Sequence, residues 1–298
     1  MFAPGQVKLG IAPIAWTNDD LPDLGGGNTF EQCVSEMALA GFAGTEIGNK
    51  YPRDPAVLRR ALEIRGLEVA NAWFSSFLTT RPHPETEARF VEACDFLRAV
   101  GAGLIGVSEQ GGSIQGRPDA PIFGRKPILD GDGWRRLAAG LDRLGAVAAG
   151  KGMRLVYHHH LGTVVQTGPE TDRLMESTDP ELVGLLFDTG HFAYAGEPPL
   201  EMLKRHLPRV RHVHLKDVRP DRIGRVREGR LSFLEGVRLG TFTVPGDGGL
   251  DFAPIFAALA EGGYRGWLLV EAEQDPAAAN PFEYAVKARR YLGERAGI

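Results

Sequence analysis

The chain is 298 residues long, 43% of its residues are hydrophobic, and its formal net charge is −4. This length and apolar content are enough to bury a large core, and they fit either two small domains or one α/β barrel. The charge gives no overall basic field for a nucleic acid. The most basic stretch, residues 219–230, is interrupted by Asp, Gly and Glu, which is typical of a solvated loop. We therefore expect no nucleic-acid partner.

Neither an export signal nor a membrane segment is indicated. The opening "MFAPGQVKLGIAP" lacks a charged segment followed by an apolar core and a cleavage site, and no later run is apolar enough to cross a bilayer. Cys33 and Cys94 are far apart and have no C-x-x-C spacing, so we expect two reduced packing residues. The expectation is a soluble cytoplasmic protein with no membrane partner.

Short apolar runs recur along the chain and predict eight strands. They are residues 8–16, 44–48, 68–74, 104–110, 154–160, 183–188, 212–218 and 267–273. Several are apolar almost throughout, as in "VGLLFD" and "WLLVEAE", which is typical of parallel strands covered on both faces.

Runs with helical periodicity lie between these strands. They are residues 29–42, 85–100, 134–149, 200–207, 252–259 and 282–292. Several end at a glycine shortly before the next strand, as in "ALAGFAGTEIG". Eight such repeats in this length predict a parallel (β/α)8 TIM barrel formed by residues 1–298 as a single domain. A doubly wound sheet is the alternative, but no G-x-G-x-x-G follows the first strand.

Polar side chains gather where the predicted strands end. The carboxyl ends of barrel strands share the face on which TIM-barrel sites are built, and the long connections 111–133 and 219–250 would lie there too. Five of the eight histidines fall at three of these ends. The strand-end residues are Glu109 and Gln110, then His158, His159 and His160, then Asp188 and His191, then His214, Lys216 and Asp217, and last Glu271 and Glu273.

Three of these residues predict a divalent metal site. Asp188, His214 and Glu271 end successive strands, whose ends converge in a small barrel. Mixed imidazole and carboxylate ligands suit Mn²⁺, Co²⁺, Fe²⁺ or Zn²⁺ better than Mg²⁺ or Ca²⁺. A fourth ligand is expected from the fifth predicted strand, where His158 and His160 both remain open.

The other histidines of these strands are expected to be structural. Strand alternation puts His159 on the side opposite to its two neighbours. His212 lies two residues deeper in its strand than the proposed ligand there, and His206 stands alone.

The strings "FDTGH", "VHLKD", "PGDGGLDF" and "WLLVEAE" resemble the xylose isomerase-like family of TIM barrels. In that family the metal is usually held by Glu, Asp, His and Glu from strands five to eight. The resemblance implies Asp188, His214 and Glu271 as ligands, and it puts His158 where a glutamate is usual. That departure argues against an epimerase, since an epimerase of the family moves protons with two metal-bound glutamates.

Further strings, "YHHHLGT", "SEQGGSIQGRP" and "FDTGHFAYAGEPP", resemble the inosose dehydratase branch of the family. The resemblance implies a hydro-lyase of inositol catabolism that converts 2-keto-myo-inositol, a small polyhydroxy ketone, to a trihydroxycyclohexane-dione. It implies Mn²⁺ or Co²⁺, with Zn²⁺ or Fe²⁺ as alternatives. Glutathione and a homo-oligomer are suggested by the resemblance alone. A sugar isomerase or ketose 3-epimerase on the same barrel and a non-catalytic sugar-binding or regulatory barrel remain as rivals.

Dehydration needs a base for the proton next to the carbonyl and an acid for the departing hydroxyl. We expect Glu271 or a fifth-strand histidine as the base, and His191, His160 or Lys216 as the acid. Trp16 and Trp73 are candidates for contact with substrate, and the alternative is that both are core residues at the barrel mouth. The residues that could contact substrate hydroxyls are Trp16, Asn18, Glu46, Trp73, Glu109 and Gln110.

Overall fold

The computed structural model describes residues 2–298 and forms a parallel barrel. The strands are β1 Val7–Ile11, β2 Gly44–Glu46, β3 Glu68–Asn71, β4 Trp73–Ser76, β5 Leu104–Glu109, β6 Arg154–His158, β7 Val183–Asp188, β8 Val210–Leu215, β9 Asp217–Val218, β10 Phe242–Thr243 and β11 Gly266–Val270. One sheet has the order β3-β2-β1-β11-β8-β7-β6-β5-β4, and β9 pairs with β10 in an antiparallel ribbon.

The third predicted strand is broken into two pieces. β3 pairs with β2, β4 pairs with β5, and Ala72 lies between the pieces. The Ala72 carbonyl accepts a hydrogen bond of 3.0 Å from the Gly106 amide, which joins the two ends of the sheet. The eight predicted strands therefore occupy the eight positions of a ring, and the predicted (β/α)8 barrel is confirmed.

Helices surround the ring. They are α1 Phe30–Leu39, α2 Pro55–Glu63, α3 His83–Ala99, α4 Gly131–Gly150, α5 Gly168–Ser177, α6 Thr189–Ala195, α7 Pro199–His206, α8 Pro220–Gly229, α9 Phe233–Arg238, α10 Ala253–Glu261 and α11 Pro281–Ala296. Among residues 2–298, none of these helices has the length and apolar content that spanning a bilayer requires. Cys33 and Cys94 are buried and free, as the sequence predicts.

Two expectations about local structure are corrected. The basic stretch 219–230 is a helix rather than a loop, because α8 begins at a proline and buries Val226 against the apolar side of the loops around it. The first and last predicted strands also extend too far at their carboxyl ends. The first ends at Ile11, because Pro13–Ala15 form a turn of 3-10 helix, and the last ends at Val270, where the chain leaves the sheet at Glu271.

A second apolar cluster at the carboxyl face holds the loops together. It brings Leu21 from the loop after β1, Ile122 from the loop after β5 and Leu161 from the loop after β6 against Phe233 and Phe242. Both phenylalanines are fully buried. Because interdigitated apolar side chains pack at high density, these loops form a fixed wall around the barrel mouth.

Candidate metal centre and active site

Four side chains converge at the carboxyl end of the barrel. His158 ends β6, Asp188 ends β7, His214 lies in β8 and Glu271 follows β11. Their ligand atoms all lie within 4.8 Å of one another. Asp188 Oδ2 is 3.6 Å from His158 Nε2 and 3.5 Å from His214 Nδ1, and Glu271 Oε2 contacts that same Nδ1. Ligands of a tetrahedral ion with bonds of about 2.1 Å are separated by about 3.4 Å, so the two distances from Asp188 fit one divalent metal.

The same four atoms lack other partners. His158 Nε2, Asp188 Oδ2, His214 Nδ1 and Glu271 Oε2 are buried and make no hydrogen bond. Buried polar atoms are rarely left unsatisfied, so four of them directed at one point indicate a ligand that binds them all. Two imidazoles and two carboxylates suit a transition-metal ion. The residues therefore fit a divalent metal, and within the fifth predicted strand it is His158 that joins this group.

Lys216 lies fully buried beside this cluster. Its Nζ is 3.0 Å from Glu271 Oε1, donates to Glu273 Oε1 at 2.9 Å, and lies 3.1 Å from His191 Nε2. Burial disfavours the charge, but Glu271 and Glu273 outweigh it and raise the pKa of Lys216 above its ordinary value. Burial opposes ionisation of Glu271 as well, but Lys216 and His214 lower its pKa to about 2. The site thus holds a protonated lysine against an ionised glutamate.

His160 and His191 form an imidazole pair next to the lysine. Their ring centroids are 3.9 Å apart, and Phe233 packs against both rings. Burial lowers the pKa of His160 to about 3 and that of His191 well below its ordinary value. Both rings are therefore neutral, and the Nε2 of His191 accepts from Lys216 Nζ.

A cavity of about 540 Å³ opens above the cluster. Two of the predicted substrate residues, Glu46 and Trp73, line it together with His158 and His160. Trp73 is 39% exposed, and its ring meets those of His158 and His160 edge-on at 5.3 Å and 5.5 Å. The glutamate carboxylate is directed at His214, whose Nε2 is 2.9 Å from Oε1.

The other four predicted substrate residues do not line this cavity. Trp16 is fully buried and donates its indole N–H to Glu36, and Asn18 accepts from the backbone of its own turn. Gln110 donates to Ser108 Oγ at 3.2 Å. Both carboxylate oxygens of Glu109 are taken by donors of the loops after β4 and β5. In the structure the bonded polar atoms of these residues stabilise the loops, and their contact with substrate stays a prediction.

Several lining residues were missed at the sequence level. Asn71 ends β3 and donates to Glu46 Oε1 at 2.8 Å, and the available signal was a polar residue within an apolar run. In the loop after β1, burial raises the pKa of Asp19 to about 6. Asp20 accepts from Gln115 Nε2 at 3.2 Å, which joins two loops across the cavity mouth. No sequence pattern singled out these three loop residues.

Residues 34–295 match the model of the family described as xylose isomerase-like TIM barrel. The chain belongs to this family. Curated relatives of this chain include a protein named inosose dehydratase from Clostridium perfringens, which is 63% identical over 98% of this chain and 99% of the relative. Another protein of that name, from Geobacillus thermodenitrificans, is 59% identical over 100% of both chains.

Solved structures share the barrel of this xylose isomerase-like chain at low sequence identity. One is described as the IOLI protein with a binding zinc atom, with a TM-score of 0.73, 16% identity and coverage of 98% of both chains. Another is described as the probable 3-DHS dehydratase AsbF from Bacillus anthracis, with a TM-score of 0.73 and 14% identity, covering 97% of this chain and 100% of that one. At such identities these likenesses establish the fold.

Proposed function

We propose that this protein is a metal-dependent hydro-lyase that removes water from 2-keto-myo-inositol to give a trihydroxycyclohexane-dione, the reaction of an inosose dehydratase. The observation that carries the proposal is the convergence of four ligand atoms at one cavity, with the buried Lys216 Nζ 3.0 Å from the Oε1 of one of these ligands, Glu271. Relatives about 60% identical over the full chain bear the dehydratase name, which supports the same reaction.

The metal would be held by His158, Asp188, His214 and Glu271. A divalent ion bound there would supply Lewis-acid stabilisation of the negative charge that develops on the ketone. The donor set favours Mn²⁺, Co²⁺, Fe²⁺ or Zn²⁺ over Mg²⁺ and Ca²⁺.

Glu271 is the base in this proposal. It is ionised, because its pKa is held at about 2 despite burial, and it lines the cavity. Its oxygen removes the proton from the carbon next to the ketone. The electron pair of that C–H bond moves toward the carbonyl, and it then expels the hydroxyl from the β carbon. The resulting enol tautomerises to the dione, so the net loss is one water.

Lys216 and the imidazole pair supply the proton for the departing hydroxyl. Lys216 is protonated and touches His191 Nε2, and the His160 ring lies beside that imidazole and lines the cavity. The lysine can pass its proton to His191 Nε2, and the neutral His191 ring can then give up the hydrogen of its other nitrogen, Nδ1. His160 packs against that ring and donates its own Nδ1–H to the Leu161 carbonyl at 2.9 Å. Acid and base thus come from different side chains, as elimination requires.

The cavity also suits an uncharged polyol. Its volume of about 540 Å³ accommodates a six-membered ring. Asp19, Asp20 and Gln115 line its mouth and offer hydrogen-bond acceptors for hydroxyls, and Trp73 offers an aromatic surface for the ring. Arg53 and Arg89 line the same cavity and offer hydrogen-bond donors to hydroxyls.

The test is a substrate panel with metal-replete protein. We expect ultraviolet absorbance of a dione to develop with 2-keto-myo-inositol, and we expect ketohexoses and ketopentoses to be recovered unchanged by chromatography. Interconversion of the ketoses without dione formation would favour an isomerase or 3-epimerase. Binding of the cyclic ketone without turnover would favour a non-catalytic barrel.

A further inference from the structure

Three side-chain nitrogens lie close to one carboxylate oxygen of Glu46. Glu46 Oε1 lies 2.9 Å from His214 Nε2, accepts from Asn71 Nδ2 at 2.8 Å, and lies 3.5 Å from His212 Nε2. Asn71 belongs to β3, the neighbour of β2 in the ring, whereas His212 and His214 belong to β8, three positions away from β2. Asn71 and His212 are buried, and the Glu46 side chain is 13% exposed.

The two ring nitrogens of His214 face different groups. Its Nδ1 faces Asp188 Oδ2 at 3.5 Å and contacts Glu271, whereas its Nε2 faces only carboxylate oxygen of Glu46 at hydrogen-bond distance. An imidazole that ligates a metal offers the lone pair of one nitrogen and keeps a hydrogen on the other. An ionised carboxylate only accepts, so the hydrogen belongs on Nε2 and the lone pair on Nδ1.

We infer that Glu46 is a positioning residue that fixes the Nε2–H tautomer and the ring orientation of His214, with Asn71 holding the carboxylate in place. His214 then presents Nδ1 to the metal. This inference rests on the metal centre of the proposed function. It replaces the substrate contact that the sequence suggested for Glu46, since its Oε1 is already occupied by protein donors.

A second cation bound by Glu46, His212 and His214 is the competing arrangement. The potential ligand atoms of these residues are close enough, and both ring nitrogens of His212 lack a partner. The 2.9 Å from His214 Nε2 to Glu46 Oε1 is, however, the length of a hydrogen bond, and the same oxygen also accepts from Asn71. A second cation would also require His214 to give up both of its ring hydrogens.

Metal binding by three variants tests the inference. Glu46→Gln keeps an acceptor oxygen for the Nε2–H but removes the charge, and Glu46→Ala removes both. Glu92→Gln is the matched control, because Glu92 is an exposed carboxylate on the same cavity with no contact to the ligands. Apo-protein is titrated with Co²⁺ by calorimetry and by visible absorption, and circular dichroism checks that each variant is folded.

We expect wild type and Glu92→Gln to bind one equivalent with the same affinity and spectrum. Loss of such an outer carboxylate weakens metal binding by about 10- to 100-fold, so we expect roughly tenfold for Glu46→Gln and on the order of 100-fold, with an altered spectrum, for Glu46→Ala. In ¹⁵N-histidine NMR of Zn²⁺-loaded protein, the His214 ring should carry its hydrogen on Nε2. That hydrogen should remain protected from solvent exchange in Glu46→Gln and lose protection in Glu46→Ala.

Three results would overturn the inference while leaving the metal centre intact. They are wild-type Co²⁺ affinity and spectrum in Glu46→Ala, a hydrogen on Nδ1 of metal-bound His214, and a second equivalent of metal that Glu46→Gln abolishes. Failure of wild-type protein to bind any divalent metal would instead overturn the metal centre of the proposed function, and the inference with it.

Discussion

Replacing Glu109 by Gln separates a role in the scaffold from a role in substrate binding. The carboxylate accepts five hydrogen bonds of 2.7 to 3.2 Å. Oε1 takes the Thr79 amide, the Thr79 hydroxyl and the Gly111 amide, and Oε2 takes the Ser76 hydroxyl and the Leu78 amide. One carboxylate thereby joins β4 and the loop after it to the loop after β5.

The loss of stability in Glu109→Gln depends on how many of these donors the glutamine side chain can still satisfy. Its single oxygen can serve the three donors on Oε1, but each bond loses its charge assistance, which costs about 1 kcal/mol per bond. The amide nitrogen then meets the Leu78 N–H, and an unsatisfied buried donor costs about 1–3 kcal/mol. Ser76 can rotate its hydroxyl to accept, and removal of a buried charge offsets part of the loss. We expect a net destabilisation of about 2–4 kcal/mol.

Thermal unfolding and substrate kinetics on Glu109→Gln provide the measurement. For a chain of this length about 1 kcal/mol shifts Tm by roughly 2 °C, so we expect Tm to fall by about 4–8 °C. Below that transition we expect KM for the cyclic ketone to stay within about twofold of wild type, since Glu109 does not line the cavity. An unchanged Tm together with a tenfold rise in KM would refute the scaffold role.

Three further outcomes are expected. His160→Ala and His191→Ala should each lower kcat by about 10²- to 10⁴-fold, with full metal content by elemental analysis; near-wild-type rates in both would remove them from proton transfer. Trp73→Ala should raise KM about tenfold with little change in kcat, and an unchanged KM would leave the ring without a substrate contact. Burial alone would raise the pKa of Glu170, but Lys126 and two backbone amides outweigh burial and lower this pKa below its ordinary value of 4.5. Its stabilisation is therefore present above pH 4.5 and lost as the pH falls through the lowered pKa, so the unfolding free-energy difference between wild type and Glu170→Gln should shrink in acid; a constant difference would contradict this.

The fold could be predicted from the sequence because the patterns that indicate it are local and repeated. Apolar runs bounded by glycine recur in the order of the barrel strands, and the break at Ala72 does not disturb that order. Five helices, α2, α5, α6, α8 and α9, were missed, because they are short and three of them, α2, α5 and α8, are polar on average. Their stability comes from capping and from tertiary packing, which a periodicity does not record.

Most residues of the candidate metal centre could be predicted from the sequence for a related reason. A residue at the end of a barrel strand has a defined position, so Asp188, His214 and Glu271 could be placed near one another before any contact was known. Alternation left His158 and His160 equivalent, and only the structure directs His158 at the cluster and His160 at its neighbouring imidazole.

Residues beyond the last strand position were harder to place. Trp16 and Glu109 both stand near strand ends, but the conformation of the following loop turns their polar atoms toward the scaffold. The contact of Asn71 and His214 with Glu46 crosses strands that are distant in sequence, so spacing along the chain could not reveal it.

Titration of metal-free protein with Mn²⁺ or Co²⁺, while dione formation from 2-keto-myo-inositol is followed, tests the account most directly. We expect no turnover without metal, a linear rise in rate up to one equivalent, and no rise in a Glu271→Gln variant. Dione formation at the same rate without metal, or its absence at full metal occupancy, would contradict the proposal that this cluster dehydrates a cyclic ketone.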